Sequence, residues 1–181
     1  MELTDGDRLI IVMLTDIYKQ LGIEDALDPE FIRAAVEDGQ TWALKVRYPG
    51  VFATQDTPDD VVNEVARIMT MWTAIEFAYG RLSDDLKQVV TAQVGLGEPR
   101  FSGFDGNTET EQMATAEFYI EKLDRFQNFE GRDLNAHMPC LDAYRRMLTS
   151  FEATVQATHG EPLSADQLVA VLREQIHPEN R

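Results

Sequence analysis

Five carboxylates in two loops are the residues whose types and spacing most invite chemistry. Asp105, Glu109 and Glu111 lie in and just after the stretch Phe101-Ser102-Gly103-Phe104-Asp105-Gly106-Asn107-Thr108-Glu109, and Glu130 and Asp133 follow in the next loop. Oxygen donors of this kind hold Mg²⁺ if they converge, and the function would then be a metal-dependent hydrolase. A more ordinary use is local. An Asp in a tight turn bonds that turn's amides, and Glu residues at a helix start complement its positive end. Thr108 and Glu111 have the T-x-x-E spacing of a capping box, which already engages Glu111. Three arginines, Arg132, Arg145 and Arg146, sit where the net charge is least negative and could bind a small anion if they converged. Arginines more often neutralise neighbouring acids on a solvated face.

Other constellations are weaker. His137 and Cys140 flank Met138-Pro139, and a thiol in a helix's first turn can be activated by the dipole, with the imidazole assisting. A single Cys is more often a small buried hydrophobe. Glu174 and His177 have the i, i+3 spacing of di-iron bundles, but in one copy where two are needed. Trp42, Trp72, Tyr79, Phe101, Phe104 and Tyr119 could line a ligand pocket, although aromatics at helical spacing usually form core. The sequence lacks H-E-x-x-H, P-loop, G-x-G-x-x-G and G-x-S-x-G patterns, the common signatures of zinc proteolysis, nucleotide binding and serine hydrolysis.

The elements that must position these residues read as helices nearly throughout. Thr4 with Asp7 opens the first, in which Leu9, Ile10, Met13, Leu14, Ile17 and Leu21 recur on one face. Asp28-Pro29 starts a shorter helix with an N-cap and a proline at its first position. Trp42, Leu44 and Val46 belong to a further short stretch stopped by Tyr48-Pro49-Gly50. From about 58 to 82, Val61, Val65, Ile68, Trp72, Ile75, Tyr79 and Leu82 advance by alternating fours and threes, a heptad seam. Val62, Met69, Met71, Phe77 and Ala78 widen its apolar surface, so this helix should be central. Ser83 caps a helix reaching Val94, Thr108 starts another, Pro139 a third, and Ser164 with Gln167 the last. Sustained period-two alternation is lacking, so no sheet is required. The expectation is an all-α fold: one domain over 1–181, with six to eight helices around the 58–82 helix and a frayed tail at 177–181.

With 32 acids against 16 bases the formal charge is −16, and residues 1–60 alone carry −8. Nucleic-acid affinity comes largely from neutralising phosphates, so this charge excludes nucleic acid and anionic lipid as natural partners. It suits a protein partner with a basic patch. One cysteine permits no internal disulfide, the N-terminus is acidic where a signal peptide would be basic, and no apolar run approaches the ~20 residues of a membrane span. These features imply a cytoplasmic protein.

The Phe101–Glu109 stretch, Ile68-Met69-x-Met71, Gly131-Arg132, Asn135-Ala136, Pro139, Tyr144 and Arg146-Met147-Leu148 together resemble the YfbU family of bacterial proteins. The likeness runs from Glu2-x-Thr4 and Arg8-Leu9-Ile10 to Leu163-Ser164 and is hardest to follow over 45–58. It implies an all-helical fold and self-association, and supplies no catalytic, cofactor or metal residues. The reading is therefore a non-enzymatic interaction protein and homo-oligomer. Phe101, Gly103, Phe104, Asp105, Thr108, Glu109, Arg132, Asn135 and Arg146 are its candidate binding or latch residues. The alternatives are the metal-dependent hydrolase and a small-anion sensor using Arg132 and nearby aromatics.

Overall fold

In a computed structural model, which describes residues 3–24, 27–52, 56–158 and 161–180, Thr4 opens the first helix, α1 (Asp5–Gln20). Its hydroxyl accepts the Asp7 amide and the Asp7 carboxylate accepts the Thr4 amide, the reciprocal box the sequence predicts. Asp28 caps α2 (Pro29–Glu37) through the Phe31 amide, and α3 (Trp42–Arg47) follows. These helices belong to the first of two compact units, Met1–Asp56 and Thr57–Arg181. Ala35, Val36 and Leu44 form the small core of the first unit, packed by Ile11, Val12, Phe31, Ile32 and Tyr48. The side of α1 facing that core is thus the Ile11–Val12 side. The conspicuous stripe of Leu9, Ile10, Met13, Leu14, Ile17 and Leu21 points outward and is exposed.

The second unit is organised by α4 (Asp59–Gly80), with α5 (Asp84–Val94), α6 (Thr110–Glu121), α7 (Leu141–Thr158) and α8 (Ala165–Arg173). Helix α4 packs on α6, α7 and α8, while α8 also receives α5 and α7. Its heptad residues Val65, Ile68, Trp72, Ile75 and Tyr79 are buried, as are Met69, Met71 and Ala78 beside them. The long central helix and the all-helical class are as the sequence predicts. Phe77 corrects one detail, since it stands exposed and contributes nothing to the core. Trp42 corrects another: it is exposed on α3 in the first unit, outside any aromatic cluster.

Side-chain caps open several of the helices, while α3 and α4 start without one. Ser83 caps α5, whose end is closed by Gly95 at φ 75°, and Ser164 and Gln167 form the reciprocal box on α8. Helix α6 departs from the sequence expectation. It begins at Thr110 with Glu109 as N-cap and no side-chain cap bond, so the Thr108–Glu111 box expected from spacing does not form. Among the described residues there are eight α-helices, two 3₁₀ turns and no strand, only an isolated parallel bridge between Phe104 and Asn135. The second 3₁₀ turn, Pro178–Asn180, lies where the sequence suggests a frayed tail; Arg181, like Glu2, is outside the described residues. No helix of the described residues is long and apolar enough to cross a membrane.

Candidate functional site

The two loops flanking α6 are joined to each other. The Phe104 amide donates to the Leu134 carbonyl and the Ala136 amide to the Phe104 carbonyl, both at 2.9 Å. Gly103, at φ 85°, lies so close to Leu134 that a Cβ there would stand 1.9 Å from its carbonyl oxygen. Asn135 fastens the next position: its side-chain oxygen accepts the Gly106 amide at 3.0 Å and the His137 amide at 2.9 Å. Beneath this clasp Phe101 and Phe104 are buried against Trp72, Phe129 and Tyr144, with ring centroids 4.9–6.1 Å apart in edge and tilted pairs. These five aromatics therefore make core, which is the ordinary reading of such residues at helical spacing. The Tyr144 hydroxyl pairs with Ser102 at 3.1 Å, and burial drives its pKa well above the usual tyrosine value.

Among the described residues Asp105 and Glu109 are the buried carboxylates, 3 % and 6 % exposed. Buried charge must be matched by donors, and here the backbone supplies most of them. Asp105 accepts the Thr108 amide at 3.1 Å and its hydroxyl at 2.6 Å, with Asn107 Nδ2 at 3.4 Å. Thr108 therefore serves Asp105 rather than the start of α6, which explains why the expected capping box is absent. Glu109 accepts the Asp105 amide at 3.0 Å through one oxygen and the Cys140 and Leu141 amides at 2.9 and 2.7 Å through the other. Those last two donors open α7. Glu109 is thus a cap supplied from 31 and 32 residues away, placed on the positive end of α7. No sequence pattern signals it, because capping motifs are read over three or four residues.

The Thr108 hydroxyl is the main cause holding the Asp105 carboxyl below the ordinary aspartate range, against the opposing effect of burial. Unfolded Asp105 takes up its proton near pH ~4, and the folded residue only at lower pH. Below that point the unfolded state binds more protons, so this contribution is present at neutral pH and lost on acidification. Asp7, lowered by Thr4, acts in the same sense. Asp105→Asn is expected to flatten the fall in thermal midpoint between about pH 5 and about pH 3. An unchanged fall would show that Asp105 does not carry the effect.

The remaining predicted residues do not meet at one point. Arg132 makes a bidentate pair with Glu76, both contacts 2.8 Å, donates to the Asn128 carbonyl and lies over the Phe129 ring. Glu76 also accepts the Phe101 amide at 2.8 Å. Arg145 pairs with Glu64 at 2.7 and 2.9 Å. Arg146 donates to the Glu174 and Gln175 carbonyls at the end of α8 and to Asp142 within its own helix. The hollow of about 360 Å³ beside Arg132 is lined by Glu117, Glu121, Asp124 and Glu130, a setting that repels an anion. Among the described residues no three His, Cys, Asp or Glu side chains form a metal-binding group. Burial foremost pushes the Cys140 thiol up, and the thiol donates to the Met138 carbonyl, while His137 Nε2 lies 3.9 Å from Asp133.

The sequence model of the YfbU domain matches residues 1–173. The chain belongs to the YfbU family. One relative is the UPF0304 protein MJECS11 of Methanocaldococcus jannaschii, 41% identical over 59 residues, covering 29% of this chain. The match takes in 34% of that relative's length, about a third. The YfbU match spans both loops of the clasp and all eight helices. Neither the name of the domain nor that of the relative carries an activity.

Proposed function

We propose that this YfbU protein is a non-enzymatic, cytoplasmic interaction protein that works through self-association and contacts with other proteins. The observation that carries the reading is where the charged groups of the candidate site point. Asp105 and Glu109 hold the chain's own amides, Arg132 holds Glu76, and Arg146 holds the end of α8. Phe101, Gly103, Phe104, Asp105, Thr108, Glu109 and Asn135 then act as a structural latch between two loops. The surface offers a contrast, with large apolar side chains such as Leu9, Leu21, Phe118 and Met138 exposed on a chain of net charge −16. Such a surface fits a protein partner with a basic patch better than nucleic acid or an anionic membrane.

Sedimentation velocity over a concentration series is expected to show mass rising above that of the monomer, and a monomer throughout would overturn the self-association. Calorimetric titration of Mg²⁺ and Mn²⁺ into the parent and Asp105→Asn is expected to give no saturable binding in either. Saturable binding by the parent that disappears in the variant would replace the latch with the hydrolase.

A further inference from the structure

Helix α1 turns its most regular apolar stripe away from its own unit's core. Leu9, Ile10, Met13, Leu14, Ile17 and Leu21 are 51–68 % exposed. The only charged side chain between Leu9 and Tyr18 is Asp16, which is tied to Arg33. At roughly 100 Å² each, the six side chains offer about 600 Å² per copy, close to the ~800 Å² per partner of a standard interface. A patch of that size stands at the top of the range found on monomers, where such patches are often functional.

The patch also has relief. Ile11, Leu14, Ile17 and Ile32 line an apolar groove of about 340 Å³ along α1, centred toward its C-terminal half, whereas Leu9, Ile10 and Met13 lie outside it. The centres of ridge and groove are thus offset by about 6 Å along one helix. A second copy laid antiparallel about a two-fold axis near Met13 seats its ridge over the first copy's groove and receives the first copy's ridge in its own. That is the self-complementarity an isologous interface requires. The same arrangement opposes the two helix dipoles, while Lys19 stays with Glu30 at 2.6 Å on the side of α1 away from the stripe.

We propose that the outward face of α1 is the surface through which two copies of this chain associate, an inference that rests on the self-association proposed above. Each copy carries −16, so the copies repel at long range and the contact is apolar at its centre. Added salt screens the repulsion without weakening apolar burial, and association strengthens with ionic strength.

The test is sedimentation velocity on the full chain and its Met13→Glu and Ile17→Glu variants, with circular dichroism confirming helix content. Oxidative cross-linking of Met13→Cys in a Cys140→Ala background accompanies it, with Val46→Cys, exposed elsewhere in the same unit, as comparison. The parent is expected to dimerise more tightly as salt rises, with a dissociation constant raised at least about tenfold by either glutamate. Met13→Cys is expected to give disulfide-linked dimers far in excess of Val46→Cys. If the parent dimerises, the glutamate variants dimerise equally well and Met13→Cys does not cross-link, the α1 surface is wrong while self-association stands. A parent that stays monomeric at every concentration overturns both, and would mean the stripe is left bare or is covered by the chain itself.

Discussion

Trp72→Ala is expected to cost about 3–5 kcal/mol of folding stability. Trp72 sits midway along α4 at 1 % exposure, and its ring contacts Phe101 and Tyr144 at 6.1 and 5.6 Å. Truncation removes the largest side chain of the second core and leaves a cavity where α4, the clasp and α7 meet. Those surroundings cannot close on it without moving two helices and a loop that is hydrogen-bonded on both sides. The indole N–H is buried and makes no hydrogen bond to any described residue. Trp72→Phe discards that orphan donor and keeps most of the ring volume, so it should cost markedly less. Denaturant melts of the two variants check the assignment, and a loss under about 1 kcal/mol for the alanine would remove Trp72 from the centre of the fold.

Gly103→Ala should be of similar size although it adds only a methyl group. The added Cβ meets the Leu134 carbonyl oxygen at 1.9 Å, its carbon at 2.3 Å and the Leu134 Cα at 2.6 Å, all main-chain atoms that cannot rotate aside. Relief requires parting the loops, which sacrifices the Phe104-to-Leu134 and Ala136-to-Phe104 hydrogen bonds. The left-handed backbone at φ 85° adds its own penalty for any residue with a Cβ. Together these should cost on the order of 3–5 kcal/mol. Gly95→Ala provides the contrast. It shares a positive φ of 75°, but nothing lies within 4 Å of its Cβ position, so only the backbone penalty of about 1 kcal/mol applies. Equal losses at the two glycines would show that the close approach of the loops is not what Gly103 provides.

How far the architecture could be read in advance depended on the range of the physics. Helix α4 was legible because its burial repeats with the helical period, so Val65 to Tyr79 announce themselves by spacing. The caps at Thr4, Asp28, Ser83 and Ser164 were legible because capper and amide are three residues apart. The burial of Phe101 and Phe104 could be anticipated from two aromatics between glycines in a loop. Their partners could not, since Phe129 and Tyr144 arrive from distant segments. Thr108 shows local competition: the same residue can cap a helix or serve the preceding Asp, and the pairing of loops decided for Asp105. Helix α1 shows the limit of periodicity, which identifies an apolar face but not the element that covers it. Ile11 and Val12, off the regular stripe, are the residues that pack on the first core.

The position of Glu109 also determines how the second unit can open. A carboxylate at the head of α6 holds the first amides of α7, and the amides of Phe104, Gly106 and Ala136 are held across the same pair of loops. None of these bonds lies within a single turn that could fray alone. Parting the loops releases them as a group, so solvent protons should reach Phe104, Gly106, Ala136, Cys140 and Leu141 at one shared exchange rate rather than in sequence from a helix end. The clasp thus makes a non-helical stretch part of the cooperative folding unit, where loops ordinarily exchange first.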